Sequence, residues 1–450
     1  MFVLARQKPS LLGFALAYHY ICIQYIVLAI MKVLIINTAE RKGGAAIAAN
    51  RLMKALSRNG VEAKMLVRDR ATHDVRVVSL PADMKRRWHF LEERMRIWIA
   101  NGFSKANLFG VDIASSGSDI TSLQAFKEAD VIHLHWVNQG MLSLDGLRAI
   151  LGSGKPVVWT MHDMWPFTGI CHYSDGCDRY IADCGDCHLL RYPEECDLSR
   201  RVLDRKKAIY GGGDIAFVAC SRWLASLAER AALTKGHYVT DIPNAIDTEV
   251  FCPGDKEEAR LRLKLPADRQ MLLFGSMKTT DKRKGIDYLI EASRLLAEKY
   301  PELADTLGVM VLGAASAEYA ESFPFPIYCL GYVNDERELV DIYNAADLYV
   351  TPSLQDNLPN TIVEAMSCGT PCVGFDTGGI PQMIAHRVNG YVARYKSAED
   401  LAEGIYTTLY AGCYDDMCRN ARAEAVAQYS EPVAARRYIQ VYERLILKGR

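Results

Sequence analysis

The 450-residue sequence lacks charge of a dominant sign: 53 Lys and Arg stand against 54 Asp and Glu, a net charge of −1. That balance gives no support for nucleic-acid binding, which needs a basic footprint. No internal tandem repeat or low-complexity tract is evident, so a solenoid is excluded. A disulfide framework is missing too. The 13 cysteines are odd in number and scattered over predicted strands and helices, which reads as reduced thiols in a cytosolic protein. Only one apolar run, Leu11–Ile30, nears membrane-spanning length, and His19 and Gln24 interrupt it. Half of the residues are apolar, and the length is too great for one ordinary core, so two domains are expected.

Residues 1–30 form a leader with two readings. Arg6 and Lys8 ahead of the apolar run suit a signal anchor. Met31, however, opens directly into Lys32–Thr38, a first core strand with no linker before it. That favours Met31 as the natural start, with the leader an upstream extension. From Lys32 onward short apolar strands alternate with helical stretches, at Lys32–Thr38, Glu62–Arg68, Asp130–Trp136, Pro156–His162 and Ala216–Ser221. Alternation of this kind predicts a parallel α/β sheet. Lys42-Gly43-Gly44 follows the first strand and leads into a helix, where glycine permits close backbone approach or simply makes a tight turn.

The segment Met84–Asn107 is basic and aromatic at once. Trp88, Leu91, Met95, Trp98 and Ile99 fall at helical spacing, with Lys85, Arg86, Arg87, Arg94 and Arg96 between them. The expectation is a helix packed by its apolar face with a solvated basic face. The other reading is a helix lying on an anionic membrane. His162 ends a strand at the edge where open α/β sheets bind ligands. His133 and His135 end the preceding strand and are read as pointing opposite ways, so that at most one faces the cleft. Next comes an excursion, Trp165–Asp197, with Cys171, Cys177, Cys184, Cys187 and Cys196. Cys171, Cys177, Cys184 and Cys187 suit a structural zinc site, because Cys-x2-Cys is the usual half-site spacing. Free thiols and disulfides are the alternatives.

The second half is organised around Thr351–Gly374. A strand ends in a polar loop, Leu354–Pro359, and a helix starts near Asn360 and stops at Cys368-Gly369. Free N–H groups from Asn357 to Thr361 and the helix dipole suit a phosphate. Asp356 and Glu364 frame them, and carboxylates beside a phosphate site suit hydroxyl groups. A nucleotide or nucleotide-linked sugar has both. Upstream, Met271–Ser276 leads into a loop holding Lys278, Lys282, Arg283 and Lys284, able to neutralise a leaving diphosphate. The chain closes with helices at about 398–410, 415–428 and 432–447.

The run acid-x7-Glu followed by Ala365-Met-Ser-Cys-Gly-Thr-Pro371 resembles the signature of retaining GT-B glycosyltransferases of family 4. Leu354-Gln-Asp-Asn-Leu-Pro-Asn-Thr361 is similar to the branch that builds bacterial exopolysaccharide, capsule and O-antigen. The resemblance spans roughly residues 31–430. It implies two Rossmann-like domains facing a cleft: 31–241 on the acceptor side, a linker at 242–255, and 256–430 on the donor side. The last helix, 431–450, returns to the N-terminal domain. It implies retaining, metal-independent transfer from a UDP- or GDP-sugar to a glycan or lipid-linked acceptor, at the inner face of the plasma membrane or in the cytoplasm. Glu364 would take the ribose hydroxyls and Asp356, in place of the usual Glu, hydroxyls of the transferred sugar. Lys284, with Lys278 and Arg283, and the backbone of Asn357, Leu358, Pro359, Asn360 and Thr361 would hold the diphosphate. Gly43 and Gly44 would line the cleft, and His162 would stand beside the sugar. No Asp-x-Asp motif occurs where a divalent ion would be needed. Ser276 stands where the family places an Arg, and Ala245 where Gly is usual. A nucleotide-sugar epimerase, a phosphorylase with a pyridoxal-phosphate lysine, or a degenerate nucleotide-sugar-binding subunit would share the scaffold.

Overall fold

The first strand, β1 (Lys32–Ala39), has seven of its eight residues buried. Such two-sided burial belongs to the middle of a parallel sheet covered on both faces by helices. It lies there: β1 pairs in parallel with β2 (Glu62–Asp69) on one side and β4 (Val131–Leu134) on the other. With β3 (Val77–Ser79), β5 (Val157–Met161), β6 (Ile215–Ala219) and β7 (Tyr238–Asp241), the order is β3-β2-β1-β4-β5-β6-β7. A second parallel sheet uses β8 (Gln270–Lys278), β9 (Leu307–Ala314), β10 (Ile327–Gly331), β11 (Leu348–Thr351), β12 (Cys372–Phe375) and β13 (Gly390–Ala393), in the order β10-β9-β8-β11-β12-β13. The structure, a computed structural model, describes residues 31–81, 84–410 and 412–448, with only the backbone of 84–87. The leader and the side chains of Lys85, Arg86 and Arg87 lie outside the described residues.

The sequence pattern anticipates the long strands. It misses β3, β7 and β13, which lie at sheet edges and, at three or four residues, are too short to show a period. Each sheet reverses its strand order once, between β1 and β4 and between β8 and β11. Loops diverge at such switch points and open a crevice at the carboxyl ends of the strands. The Gly43 loop sits at the first, and the Lys284 and Asp356 loops sit at the second.

Two crossings join the domains. Ile246 N donates to Tyr429 O at 2.8 Å and Glu431 N to Ile246 O at 3.0 Å, so the outward and return segments run side by side. The last helix, Glu431–Lys448, then packs Tyr438, Val441, Tyr442 and Leu445 into the core beneath β1.

The basic, aromatic helix forms at Met84–Ala100, but its facing departs from the expected one. Glu93, Arg94 and Ile97 are buried, whereas Trp88, Leu91, Met95 and Ile99 are exposed. Charge turns inward because the loop behind this helix has unpaired backbone groups. Glu93 accepts from Ile113 N at 2.9 Å and Ala114 N at 2.6 Å, and Arg94 donates to Leu108 O, Val111 O and Asp112. Burying an unpaired N–H or carbonyl is costlier than exposing a leucine, so hydrogen bonding sets the facing.

Candidate active site

The donor half is built where β8 and β11 end. After β8 the chain makes a 3₁₀ turn at Lys282–Lys284, capped by Asp281, and Gly285 follows at φ 69°. A Cβ at Gly285 would lie 1.9 Å from Pro352 O, so only glycine lets this basic turn press against the acid loop. The result is direct: Lys284 Nζ is 2.5 Å from Asp356 Oδ2 and Arg283 Nη1 is 3.9 Å from it. Arg283 Nη1 also donates to Gln355 O at 2.7 Å. Of the loop's four cations, Arg283 and Lys284 reach the acid, while Lys278 and Lys282 are exposed. Arg283 is thus the cation that joins Lys284 at the acid. Burial pushes the Asp356 carboxyl up, but Lys284 and Arg283 outweigh it and hold it below the usual carboxylate range.

The acid loop is buttressed from behind. Gly378, at φ 57°, leaves no room for a side chain, since a Cβ would lie 1.7 Å from Asp356 O. The Thr377-Gly-Gly turn thus approaches the loop backbone. The helix Asn360–Ser367 begins without a side-chain cap. The N–H groups of Asn357, Leu358, Asn360 and Thr361 donate to no acceptor among the described residues, and Pro359 has none to offer. Four donors at a positive dipole end remain available for an anion.

The side chains of this segment do something else: they hold the two domains together. Asn357 accepts from Ser221 Oγ at 2.5 Å and donates to His162 O at 3.1 Å. Asn360 donates to Gly44 O at 3.1 Å and accepts from Asn244 at 2.9 Å. Leu358 is buried in the core. Gly43 lies at φ 94° just before the Gly44–Arg58 helix. Glu364 is buried, with Oε1 2.8 Å from Arg51 Nη2 and Oε2 accepting from Tyr343 OH at 2.7 Å. A ribose would have to share this carboxylate with both. Arg51 was not singled out in the sequence. The only hint is its setting, a helix of alanines (Gly44-Ala-Ala-Ile-Ala-Ala-Asn) small enough to let another domain come close.

In the N-terminal domain, His133 and His135 share one face, with ring centroids 4.4 Å apart. Reading them as opposed was an error of period: residues i and i+2 of a strand point the same way. His133 bonds Tyr442 OH and Thr160 Oγ1, both at 2.7 Å, which fastens the C-terminal helix to the sheet. His135 Nδ1 meets His162 Nε2 at 2.9 Å, and His162 Nδ1 is 3.5 Å from Cys220 Sγ. Burial lowers His133 to about 3 and His162 to about 4, and takes His135 well below its ordinary value. All three are neutral near pH 7, so His162 offers a polar group without charge.

A pH dependence of stability follows. Unfolded, these histidines titrate near 6.5; folded, they stay neutral to about 4 or below. The unfolded chain therefore binds more protons below pH 6.5, and stability present above it is lost as pH falls through the folded values. Each histidine contributes a slope of up to about 1.4 kcal/mol per pH unit. Tm should fall steadily from about pH 6.5 towards pH 4. A flat profile over that window would mean that the three carry protons in the folded state.

The Cys-rich excursion reaches the cleft. His172 Nδ1 lies 2.7 Å from Asp163 and Nε2 lies 2.6 Å from Asp112. Trp136 Nε1 donates to Asp163 at 3.0 Å. This clamp sets the next residue, Tyr173, 5.6 Å from the Arg283 guanidinium, and Asp175 accepts from Gln355 at 3.2 Å. Buried Lys206 ties the base of the excursion by donating to Trp165 O at 2.6 Å and Thr168 O at 3.0 Å. Cys171, Cys177, Cys184 and Cys187 are free thiols. Burial pushes Cys171 up to about 12 and Cys184 up to about 11. Among the described residues no group of three or more His, Cys, Asp and Glu side chains is arranged to hold a metal ion. The hydrogen-bonded clamp and Lys206 order the excursion in the arrangement seen.

Known proteins share this architecture. The family described as Glycosyltransferase Family 4 matches residues 42–250, and Glycosyl transferases group 1 matches residues 268–410. The D-inositol 3-phosphate glycosyltransferase of Corynebacterium aurimucosum is 26% identical over 424 residues, covering 89% of this chain and 86% of that relative. The same-named protein of Nocardiopsis dassonvillei is 29% identical over 215 residues, 44% of this chain; the alignment spans only 50% of that relative. Among solved structures, sucrose-phosphate synthase from Thermosynechococcus elongatus superposes with a TM-score of 0.65 at 19% identity, covering 93% of this chain and 100% of that one. Anabaena HepE in complex with UDP-glucose gives 0.61 at 16% identity, covering 92% and 100%. At these identities the likeness establishes the fold, GT-B: two Rossmann-like domains facing a cleft.

Proposed function

We propose, from a chain whose halves are a Glycosyltransferase Family 4 domain and a Glycosyl transferases group 1 domain, that the protein is a retaining glycosyltransferase. It moves a sugar from a nucleoside-diphosphate sugar to a hydroxyl of a glycan or lipid-linked acceptor in cell-surface polysaccharide synthesis. The observation that carries this reading is the convergence of Lys284 and Arg283 on Asp356 beside four free N–H groups, across the cleft from neutral His162. That HepE is solved with UDP-glucose supports a nucleotide-sugar donor.

The geometry suits a transfer in which the protein supplies no nucleophile. The diphosphate rests on the N–H groups and on Lys284, whose charge offsets what builds up as the bond from anomeric carbon to phosphate oxygen breaks. The acceptor oxygen attacks that carbon on the face the phosphate leaves, and its proton passes to a phosphate oxygen. Asp356, released in part from Lys284, takes sugar hydroxyls, and His162 stands at the sugar from the acceptor domain. Lys284 and Arg283 offset part of the diphosphate's charge, and the reading uses no divalent ion. The relatives' name, D-inositol 3-phosphate glycosyltransferase, favours a second reading in which the acceptor is a small phosphorylated polyol.

A thermal-shift panel of UDP, GDP, ADP, CMP and dTDP tests the donor site, with Glu364→Ala beside the native protein. A ligand at a hundredfold excess over its Kd adds about 2.7 kcal/mol to the folded state. One diphosphate should raise Tm, and the increment should shrink in Glu364→Ala. No increment with any nucleotide would remove the transferase reading. Binding with free nucleotide and epimerised sugar released in the absence of every acceptor would favour an epimerase.

A further inference from the structure

The helix Met84–Ala100 presents an uncovered apolar face. Trp88 is 58% exposed, Leu91 56%, Met95 46% and Ile99 52%, and Phe103, just beyond the helix, is 64% exposed. Their spacing of three and four residues stacks them into one stripe. Scattered exposed apolar residues are ordinary, but a contiguous stripe marks an interaction site. The stripe is not left over from poor packing, since the opposite side of the same helix is buried and engaged through Glu93, Arg94 and Ile97.

Charge indicates what covers it. The segment 84–105 carries Lys85, Arg86, Arg87, Arg96 and Lys105, against Glu92 as its one unburied acid. Glu92 is itself paired with Arg96 at 2.6 Å. In a chain of net charge −1 this is a local concentration of positive charge in the stretch of sequence that bears the stripe. A second protein surface would need matching acids at fixed places. An anionic bilayer supplies negative charge everywhere and takes an apolar stripe of any contour, with Trp at the interface. The helix also stands next to the acceptor half of the cleft. His89 and Phe90 pack on Gly140, whose absent Cβ would lie 2.7 Å from Phe90 N, in the loop that follows β4.

We propose that the stripe formed by Trp88, Leu91, Met95, Ile99 and Phe103, with its flanking basic residues, docks the protein on an anionic lipid surface. The carboxyl edge of the N-terminal sheet would then face the lipid headgroups. The proposal deepens the reading of a lipid-linked acceptor, but vesicle binding needs no sugar transfer, so the two ideas fail separately.

Full-length protein would be sedimented with vesicles of phosphatidylcholine and phosphatidylglycerol, and with phosphatidylcholine alone. The comparison is the variant carrying Trp88→Ser, Leu91→Ser, Met95→Ser and Ile99→Ser. Binding should favour the anionic vesicles, weaken with salt, and fall at least about tenfold in the variant. The variant's Tm should hold, because all four side chains are exposed. A second variant, Arg96→Glu with Lys105→Glu, should weaken anionic binding several-fold while keeping the stripe. Equal binding by native protein and the serine variant would overturn the proposal and assign membrane contact elsewhere, such as Leu11–Ile30. Absence of vesicle binding would overturn it too, and a native dimer that the serine variant dissolves would identify a second copy as the occupant.

Discussion

Lys284→Ala is expected to lower kcat by about two to three orders of magnitude, the usual cost of removing one preorganised group from developing charge. Lys284 Nζ sits 2.5 Å from Asp356, at the mouth of the four free N–H groups, and is fixed there by a turn that only Gly285 permits. A lysine so placed has little left to reorganise when charge develops on a phosphate. The substitution has a second signature. Burial already drives the Asp356 carboxyl up, and without Lys284 only Arg283, at 3.9 Å, and the Ser353 hydroxyl oppose it. The acid limb of the kcat/KM profile should therefore move to higher pH. Lys284→Arg restores the charge without its point geometry and should recover part of the loss. If kcat of Lys284→Ala stays within a few-fold of native, Lys284 serves only to neutralise Asp356, and the electrostatic account of transfer fails.

Arg94→Leu should destabilise the N-terminal domain by about 3–5 kcal/mol, because removing one partner leaves an uncompensated buried charge. Arg94 is the cation bonded to Asp112, which is fully buried, and it also satisfies the carbonyls of Leu108 and Val111. The consequence extends past stability. Asp112 grips His172, and His172 sets Tyr173 against Arg283, so the loss should also raise KM for the donor. The double variant Arg94→Leu, Asp112→Leu removes both charges and should regain some stability, although His172 loses a partner. Denaturant midpoints measure the first effect and donor titrations the second. A cost for Arg94→Leu under about 1 kcal/mol would show that water reaches Asp112 and that the network is not closed.

Much of the donor half could be read from the chain. Asp356, Glu364 and the glycine-ended helix between them are set by spacing within one strand–loop–helix unit, and Lys284 by a glycine that follows it directly. The acceptor half was less legible. Polar groups there are paired across long separations: His133 with Tyr442, and Arg51 with Glu364. Nothing near Arg51 in sequence states that a carboxylate more than three hundred positions away will bury it. The facing of the Met84–Ala100 helix was misread for the same reason, since apolar spacing gives a stripe but not the side to which it turns.

The sequence by itself determined two parallel sheets, their central strands, the cleft-facing acids and the basic loop. These rest on periodicity, glycine backbone geometry and burial on both faces, which neighbouring residues specify among themselves. The tertiary structure alone decided which cation meets Asp356, that Asn357 and Asn360 fasten the domains, that three neutral histidines line the acceptor side, and that Trp88 and its neighbours face outward. Those outcomes depend on which distant donor or acceptor would be left unpaired inside the protein, a constraint that exists only once the chain has closed on itself.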